Sequence, residues 1–495
     1  MTTASQAIED LCRDLSTCSE IRLVDAAAKR PKSYTGIDIA KRVDQAKCSL
    51  AASRVASNDT VLFAIRPSIT AVVYLQALLT LGIRTTLIDL RDPPPLIRAK
   101  INCVNPDIVL TEPIAAIASQ QPIRRLLASI GTRVPPLRSF AGRVVTTRRR
   151  RGSQRSNKLS ARSDEALVVF TSGTMSDPKA VVHTQGTLGA TFRSMVDLVG
   201  NAEAEVVYTD QFHSLLPTLA AGAKVVFGST DIPPVAALEL VRRHRATTWF
   251  TTPPVIAEVM DLLSGVPALS HIVVGSSPVT SSFVSDMQRA APNVRLTAVY
   301  AMTEVAPIAV ADGNSILDYR CQGDLVGRPL PDIAITISST NEILVDGPRV
   351  GGYLESDSHP TCTGDLGHLT ADGDLVLDGR SKDMILSGAR NIYPQHHEGN
   401  LSRIEGVKEV ALVGQRDTYG DEQLWLLVDA KRGIDRDDLC KLITESDHGA
   451  SLPIQGIVFD SIPRSGRSSK IDRVGARQIV SDALNIGSFT STTKT

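Results

Sequence analysis

Strand-like and helical segments alternate along much of this 495-residue chain, and this alternation limits the possible folds more than any other feature. Residues 61–65 and 85–90 are predicted to form apolar strands, and residues 68–81 between them a helix that Gly82 is suited to end. A further helix is predicted at 95–104. Such alternation implies parallel β-α-β units, so the sequence predicts an α/β fold.

The later part of the chain first continues this alternation and then shows a different sequence pattern. Further strand-like runs lie at 166–170, 225–227, 248–251, 271–274 and 296–300. Beyond residue 333 the predicted strands become short and are joined by Gly/Asp turns, as at 343–345 and 375–377. Short strands joined by such turns are typical of antiparallel β structure.

The length and these patterns predict more than one domain. We expect a large N-terminal domain over residues 1–379, made of mixed parallel sheets flanked by helices plus a β subdomain. A smaller α+β domain should follow over residues 380–486. The Ser/Thr-rich residues 487–495 are predicted to form a disordered tail.

The composition argues against several classes of function. Lys+Arg and Asp+Glu total 53 each, and the resulting zero net charge gives no reason to expect nucleic acid as a partner. The seven cysteines include no CxxC pair, which argues against a disulfide framework or a zinc site and predicts a cytoplasmic protein. The strongest apolar run, 72–83, is shorter than the roughly 20 residues of a membrane span, so we expect no stable membrane insertion.

The segment 168–179, V-V-F-T-S-G-T-M-S-D-P-K, is the most informative part of the chain. An apolar strand runs into small hydroxylated residues, a glycine, a proline and a lysine. Such a loop can offer backbone N–H groups, hydroxyls and an ammonium to a polyphosphate. The spacing of a Walker A loop is absent. From these residues alone, a phosphate-binding loop and an ordinary Ser/Thr-rich turn both remain open.

This loop and four later segments, taken in order, resemble the motifs of the adenylate-forming superfamily, which includes acyl- and aryl-CoA synthetases, luciferases and the adenylation domains of peptide synthetases. The later segments are Y-A-M-T-E at 300–304, T-G-D at 363–365, G-R-S-K-D-M-I at 379–385 continuing to Pro394, and P-R-S-G-R-S-S-K-I-D-R at 463–473. Weaker matches are G-S-S-P at 275–278, G-R-P-L-P at 327–331 and Gly352-Tyr353. The resemblance covers nearly the whole chain, and its specificity comes from the order and spacing of the motifs.

The resemblance implies a binding site for ATP. Tyr300 would stack on adenine, and the Asp365 carboxylate would accept hydrogen bonds from both ribose hydroxyls. Arg380 would support the ribose and the adenylate. The other residues that the resemblance assigns to this site are Thr171, Ser172, Gly173, Thr174 and Lys179 for the phosphates and, by the weaker match, Gly275, Ser276 and Ser277.

The resemblance also implies the catalytic groups and a moving C-terminal domain. Thr303 would lie near the α-phosphate, and Glu304 would bind Mg²⁺, a hard cation that prefers carboxylate and phosphate oxygens. Lys470 would stabilise the charge that develops between the substrate carboxylate and the α-phosphate. The C-terminal domain would swing about Lys382, and Gly388 would border the channel for the thiol.

Each of these residues also has an ordinary structural interpretation. Glu304 could be a solvated surface glutamate and Tyr300 a core tyrosine. Asp365 could be a β-turn aspartate, and Arg380 a surface arginine in an ion pair.

The sequence departs from the family pattern in the phosphate loop, at Met175, Ser176 and Ala180. If position 176 needs a positive φ, a residue other than glycine costs about 1–2 kcal/mol, which corresponds to roughly tenfold weaker ATP binding. The pocket for the acid is less readable. There, Asp210 either pairs with a substrate amine or begins a helix.

The predicted function is that of an ATP-dependent, AMP-forming carboxylic acid ligase that makes an acyl-adenylate and then a thioester. We expect ATP, Mg²⁺ and coenzyme A as cofactors and a small carboxylic acid as substrate. Two alternatives remain open at this stage. The acyl group could go to the pantetheine arm of an acyl carrier protein, or the chain could be a non-catalytic homologue that only binds nucleotide.

Overall fold

The computed structural model describes residues 3–26, 31–90, 92, 94–118, 143–147, 164–171, 178–199, 205–229, 231–321, 323–354, 360–387, 390–416, 422–465, 470–487 and 489–491. Its α-helices are α1 Ala4–Thr17, α2 Gly36–Ala52, α3 Ile69–Thr80, α4 Pro94–Val104, α5 Pro113–Ala118, α6 Gln185–Val199, α7 Phe212–Ala220, α8 Pro234–Arg243, α9 Pro253–Val259, α10 Ser281–Ala290, α11 Gly313–Asp318, α12 Pro394–Leu401, α13 Arg436–Glu445, α14 Asp447–Ala450 and α15 Arg473–Ile486. Short 3-10 helices lie at Met260–Gly265 and Ser381–Asp383.

The strands alternate with these helices over most of the first 320 residues. Helices return from Pro394 onward, but from Asp324 to Ile392 no α-helix of the described chain separates the strands. They are β1 Ile21–Asp25, β2 Lys32–Thr35, β3 Val61–Ala64, β4 Thr85–Leu87, β5 Ile108–Thr111, β6 Arg143–Thr146, β7 Glu165–Phe170, β8 Ala180–Thr184, β9 Val206–Thr209, β10 Lys224–Phe227, β11 Thr248–Thr251, β12 His271–Gly275, β13 Arg295–Tyr300, β14 Ala309–Asp312, β15 Asp324–Pro329, β16 Ala334–Ile337, β17 Glu342–Asp346, β18 Gly352–Tyr353, β19 Thr361–Leu369, β20 Leu375–Arg380, β21 Ile385–Ser387, β22 Arg390–Ile392, β23 Val407–Arg416, β24 Glu422–Ala430, β25 Ile454–Phe459, β26 Arg464–Ser465, β27 Lys470–Ile471 and β28 Thr490–Ser491.

The larger sheet of the described chain has the strand order β16-β17-β19-β20-β15-β14-β13-β12-β11-β9-β10-β1-β2. Strands β10, β9, β11, β12 and β13 run parallel, as βαβ crossovers require. The end from β14 to β16 is antiparallel and forms the β subdomain. The predicted α/β fold and the change to antiparallel pairing beyond residue 333 are therefore confirmed.

The second sheet has the order β18-β8-β7-β4-β3-β5-β6. Helix α3 packs beside it in a core that also contains side chains of α1 and α2. Nearly every residue of α3 is buried, which explains why its sequence is apolar on all sides. Most of the apolar run 72–83 thus belongs to this buried helix. Within the described ranges, no helix has the length and apolar character that crossing a bilayer requires.

The C-terminal residues form a four-stranded sheet in the order β23-β24-β25-β28. The buried carboxylate of Glu398 on α12 joins its elements. It accepts hydrogen bonds from Leu412 N at 2.7 Å and from Arg473 Nη2 at 2.8 Å. Because Leu412 lies on β23 and Arg473 begins α15, one ion pair connects three elements.

Two sequence predictions concern the limits of this C-terminal part. Strand β20 runs from Leu375 to Arg380 and so crosses the predicted boundary between residues 379 and 380. The boundary itself stays a prediction. Strand β28 pairs with β25, and the Phe489 ring packs edge-on against Trp425 with the centroids 5.1 Å apart. The predicted disorder of the tail is therefore wrong for residues 489–491, because an aromatic partner and a strand edge are available to them.

Candidate active site

The carboxyl ends of the parallel strands bring the first group of predicted site residues to one edge of the larger sheet. Strand β12 ends at Gly275 and the neighbouring parallel strand β13 ends at Tyr300, with Gly275 opposite Val299. A Cβ on Gly275 would lie 3.0 Å from the Val299 carbonyl oxygen, so glycine allows the close approach of the two strands. Ser276 follows with a φ of +67°, which marks a tight turn at this edge.

Asp365 lies at the centre of a three-residue hydrogen-bonded group. Its Oδ2 accepts a hydrogen bond from the Tyr300 hydroxyl at 2.6 Å, and its Oδ1 lies 2.6 Å from Nε of Arg380. Asp365 is 6% exposed and lies within β19, so it is not a β-turn aspartate. The structure therefore brings together three residues whose positions in the sequence are far apart.

Local structure explains the placement of Asp365. Strands β19 and β20 pair with Asp365 opposite Arg380, which places both side chains on one face. The Thr363 hydroxyl accepts a hydrogen bond from Asp365 N at 3.0 Å and donates one to Ile343 O at 2.9 Å. Gly364 between them has a φ of +70°, a conformation that favours glycine. The T-G-D motif thus turns the backbone so that the carboxylate reaches Tyr300.

The electrostatics of this group keep Tyr300 protonated as a hydrogen-bond donor. Burial, followed by the Asp365 carboxylate, raises the pKa of Tyr300, so the phenol stays protonated and donates its hydrogen bond. Tyr300 and Arg380 thus orient the carboxylate of Asp365, and a carboxylate is the type of acceptor that the diol of a ribose would require.

Glu304 is a buried carboxylate rather than a surface glutamate, since it is 4% exposed. The Tyr353 hydroxyl donates a hydrogen bond of 2.6 Å to its Oε1. Burial, followed by this hydrogen bond to Glu304, raises the pKa of Tyr353 and keeps the phenol protonated. Gly351 N donates to the Glu304 carbonyl oxygen at 2.7 Å, so both the backbone and the side chain of Glu304 are held by residues 351–353.

His183 on β8 supports the residue before Glu304. Its Nε2 lies 3.0 Å from the Thr303 carbonyl oxygen and donates to it, since a carbonyl can only accept. Burial lowers the pKa of His183, so the ring is neutral at physiological pH. Among the described residues its Nδ1 has no hydrogen-bond partner. The Thr303–Glu304 peptide, which follows β13 of the larger sheet, is thus held by groups at strands β8 and β18 of the second sheet.

The described ends of the phosphate loop are joined at its base. Thr171 N donates a hydrogen bond to Lys179 O at 3.1 Å. The exposed Lys179 ammonium lies 5.9 Å from the centroid of the Tyr353 ring, within the range of a cation–π contact. The remaining loop predictions lie outside the described residues; they concern Ser172, Gly173, Thr174, Met175 and Ser176.

The C-terminal predictions are tested only in part. Lys382 is exposed in the 3-10 turn Ser381–Asp383, directly after β20. The backbone of Lys470 pairs with Ser465 in the β26–β27 hairpin, while the Lys470 side chain lies outside the described part of the chain. Gly388 is also outside it. The roles of these residues stay predictions.

Asp210 follows the end of β9, at the same edge of the sheet as Gly275 and Tyr300. It does not cap α7, because the N-cap of that helix is Gln211 and no side chain caps it. Asp210 accepts a hydrogen bond from Gln211 Nε2 at 2.7 Å. Burial raises the pKa of Asp210. Of the two interpretations left open by the sequence, the helix cap is therefore wrong.

The donor set fits a magnesium–nucleotide complex better than a metal held by protein alone. Within the described residues no group of three or more His, Cys, Asp or Glu side chains could hold a metal ion. Mg²⁺ is usually bound by one or two carboxylates together with substrate phosphates and water. A single buried carboxylate such as Glu304, close to a lysine beside the predicted phosphate loop, fits that arrangement.

Sequence reasoning missed three residues that support the site. His183 and Tyr353 contact Thr303 and Glu304 directly, and the fully buried Arg349 donates to the Pro307 carbonyl oxygen in the loop that follows. Gly352-Tyr353 was recognised only as a weak match. The one available signal was the pair of glycines before Tyr353, since paired glycines often mark a close backbone approach.

Polar groups gathered at the carboxyl edge of a parallel sheet mark the usual nucleotide-binding position of α/β enzymes. A family model described as AMP-binding enzyme matches residues 16–356, and the chain belongs to this family. The resemblance to adenylate-forming enzymes is thereby confirmed, as is the prediction that the chain is an enzyme of this class.

Named relatives are acid–CoA ligases. The indoleacetate–CoA ligase of Aromatoleum aromaticum is 28% identical over 347 residues, which cover 63% of this chain and 67% of that protein. The 2-succinylbenzoate–CoA ligase of Listeria monocytogenes serotype 4b is 26% identical over 331 residues, covering 63% of this chain and 69% of that protein.

Solved structures match over almost the full length. The amide bond synthetase McbA from Marinactinospora thermotolerans has a TM-score of 0.75 at 22% identity, covering 95% of this chain and 99% of that chain. The O-succinylbenzoate coenzyme A synthetase of Bacillus subtilis, in complex with ATP and magnesium ion, has a TM-score of 0.77 at 19% identity, covering 94% and 99%. At these identities the likeness shows the fold alone.

Proposed function

We propose that the protein joins a small carboxylic acid to AMP at the expense of ATP and then transfers the acyl group to coenzyme A. In the first step the acid's carboxylate oxygen bonds to the α-phosphorus and pyrophosphate leaves. In the second step the thiol sulfur bonds to the acyl carbon and AMP leaves. The observation that carries the proposal is the Asp365 carboxylate held by Tyr300 and Arg380 at the edge of the sheet.

The positions of the described residues support a separate role for each of them in this reaction. Asp365 would accept the ribose hydroxyls, and Tyr300 would lie beside the base. Glu304 would bind Mg²⁺, which when present neutralises phosphate charge. Thr303 would lie near the α-phosphate, and Lys470 would stabilise the developing charge on the same phosphate.

We also propose that residues 1–379 and 380–486 act as separate domains that change their relative position between the two steps. Lys382 is the proposed hinge, and its exposed position in a short 3-10 turn after β20 supports this role. Gly388 would then border the path of the thiol. The swing would remove Lys470 from the site after adenylation and admit the second substrate.

The acid is small, and the pocket proposed for it begins at Asp210. The carboxylate of Asp210 is half-buried and pairs with Gln211, at the same sheet edge as the nucleotide site. A substrate amine or hydroxyl could replace Gln211 as its donor, while a purely apolar acid would leave this pair intact.

Pyrophosphate release tests the first step. Purified protein with MgATP should release pyrophosphate in the presence of some members of a panel of fatty, aryl and amino acids. Substrates without a carboxyl group serve as controls. No acid-dependent release across the panel would overturn the proposal and favour a non-catalytic, nucleotide-binding homologue.

The acceptor in the second step is tested separately. The relatives are named as ligases that use CoA, and this favours coenzyme A over a carrier protein as the acceptor of the acyl group. Coenzyme A is added to the reaction of protein, MgATP and an acid that gave pyrophosphate release. The product should be an acyl-CoA that mass spectrometry detects. If an acyl carrier protein is loaded and no acyl-CoA forms, the acceptor is the pantetheine arm of a carrier protein and not coenzyme A.

A further inference from the structure

Tyr353 contacts two parts of the site that the sequence places far apart. Its hydroxyl donates the 2.6 Å hydrogen bond to Glu304, which precedes it by 49 residues. The face of its ring lies 5.9 Å from the Lys179 ammonium. A hydroxyl–carboxylate bond of this length is in the range of charge-assisted hydrogen bonds, which are stronger than neutral ones. One side chain thus contacts both the carboxylate proposed for Mg²⁺ and the lysine proposed for the phosphates.

The backbone fixes Tyr353 in this position. Strand β18 pairs antiparallel with β8, with Tyr353 opposite Val181, and β8 begins directly after Lys179. Gly351, the residue directly before β18, donates its N–H to the Glu304 carbonyl oxygen. A Cβ on Gly351 would lie 3.0 Å from His183 Cε1, so a larger residue would push this segment away. The contact between Tyr353 and Glu304 is therefore set by sheet pairing as well as by the side chains.

We propose that Tyr353 is a positioning residue for the divalent cation. Its hydroxyl holds Oε1 of Glu304 so that the remaining lone pairs of the carboxylate face the metal–nucleotide complex, and its ring keeps this carboxylate aligned with Lys179. The inference rests on the proposed function. Partners that hydrogen-bond to a metal-binding side chain typically contribute 10–100-fold to metal affinity.

A structural role alone predicts a different result. If the hydroxyl only satisfied a buried carboxylate, its removal would lower the stability of the fold and leave cation affinity unchanged. Metal binding at equilibrium therefore separates the two roles, and it does so without relying on turnover.

The test uses Tyr353→Phe, which keeps the ring and its contact with Lys179 and removes only the hydroxyl. The probe is Mn²⁺, titrated into protein saturated with a non-hydrolysable ATP analogue, with free Mn²⁺ followed by electron paramagnetic resonance. We expect the Kd for Mn²⁺ to rise about tenfold or more. Binding of the analogue in the presence of EDTA should not change. An unchanged Kd for Mn²⁺ would overturn the proposal.

Tyr300→Phe is the matched control, because it removes the other 2.6 Å tyrosine–carboxylate hydrogen bond of the site. That bond ends on Asp365, which is proposed to bind ribose. Tyr300→Phe should therefore weaken binding of the analogue to the same extent with and without metal. A metal-specific effect of Tyr300→Phe equal to that of Tyr353→Phe would contradict a special role for Tyr353.

A measurement on the unmodified protein covers the case in which Tyr353→Phe does not fold. Addition of Mg²⁺ to the analogue-saturated protein should change the ultraviolet absorption of tyrosine, and the change should persist in Tyr300→Phe. Its absence would count against the proposal. Failure of the proposed function looks different, since unmodified protein would then bind neither the analogue nor Mn²⁺ in its presence.

Discussion

Asp365 is a buried carboxylate whose orientation is fixed by charged and polar partners. Its exposure is only 6%, and its charge is balanced by Arg380 at 2.6 Å. A buried carboxylate is tolerated when it is paired and hydrogen-bonded, and here Tyr300 completes the set. The side chain is therefore held in one orientation before a ligand arrives, which reduces the ordering that binding would otherwise require.

Asp365→Asn should weaken ATP binding on the order of 100-fold, because hydrogen bonds to a charged group contribute roughly 1.5–3 kcal/mol and the amide offers only one acceptor. Isothermal titration calorimetry measures the change. Asp374→Asn is the control, since Asp374 lies in the same β-hairpin and pairs with the exposed Arg328. Equal weakening by both substitutions would contradict the assignment of the ribose to Asp365.

Asp324 is a second aspartate whose surroundings shift its pKa. Burial, and then the neighbouring Asp378 carboxylate, raises the pKa of Asp324 to about 6. An unfolded aspartate titrates near pH 4, so the folded state binds the proton more tightly. The free energy of unfolding should therefore fall as the pH rises from about 4 to about 6, and the charged form should destabilise the protein above that range.

Asp324→Asn is accordingly expected to raise the free energy of unfolding by about 3 kcal/mol at pH 7.5, since the shift is about two pKa units and each unit corresponds to about 1.4 kcal/mol. The gain should shrink as the pH is lowered and vanish below about pH 4. Urea denaturation at a series of pH values measures it. A stabilisation that does not depend on pH would exclude the charge of Asp324 as its cause.

At the scale of elements, the loop between β13 and β14 carries Thr303 and Glu304, and Arg349 holds its far end. Arg349 has no exposed surface and donates two hydrogen bonds to Asp332, at 2.8 and 2.7 Å, and one to Pro307 O. The guanidinium thus ties the loop to the β subdomain. Because Gly351 and Tyr353 follow Arg349 closely, the same short segment anchors both ends of the loop.

Arg349→Met should lower the free energy of unfolding by about 2 kcal/mol, because removing the fully buried guanidinium leaves the buried carbonyl oxygen of Pro307 without its hydrogen-bond donor. It should also weaken binding of Mn²⁺ with the ATP analogue, since the loop with Glu304 loses an anchor. Urea denaturation and metal titration measure the two effects. Arg328→Met, which breaks the exposed pair with Asp374, should cost less than about 1 kcal/mol. If both variants lose a similar free energy of unfolding, burial of the Arg349 guanidinium is not the cause of its contribution to stability.

At the scale of the whole molecule, the C-terminal part contacts the rest of the described chain where helix α12 lies beside strand β20. Strand β20 leads from the β subdomain directly into the turn that contains Lys382. A long hydrogen bond of 3.4 Å joins Arg403 Nη2 to Ser281 Oγ. The proposed swing of the C-terminal domain, which carries the β26–β27 hairpin and Lys470, would have to break these contacts.

Lys470→Ala should separate the two half-reactions. Pyrophosphate release should fall by roughly 100-fold or more, as expected when a group that stabilises developing charge is lost. Thioester formation from a preformed acyl-adenylate should remain, because that step needs the other orientation of the domain. Lys431→Ala, an exposed lysine elsewhere in the C-terminal part, is the control. Equal loss of both steps in Lys470→Ala would contradict its assigned role.

Much of the fold could be predicted because local patterns determine the elements. The predicted helix 68–81 is observed as Ile69–Thr80, and the predicted strand 248–251 as Thr248–Thr251. A helix buried on all sides and strands in the middle of a parallel sheet have continuous apolar sequences that stand out from their surroundings. The order of the motifs likewise predicted the family, since it needs no knowledge of contacts.

What the sequence alone determined was therefore the class of fold, the order of its elements and the identity of Asp365, Glu304 and Arg380 as candidates. Only the tertiary structure decided which groups support them. The contact of Tyr353 with Glu304 depends on the pairing of β18 with β8, and that of His183 with Thr303 spans 120 residues. Such contacts arise from the packing of one sheet against another, and no local pattern of residues encodes the distance between two strands that are remote along the chain.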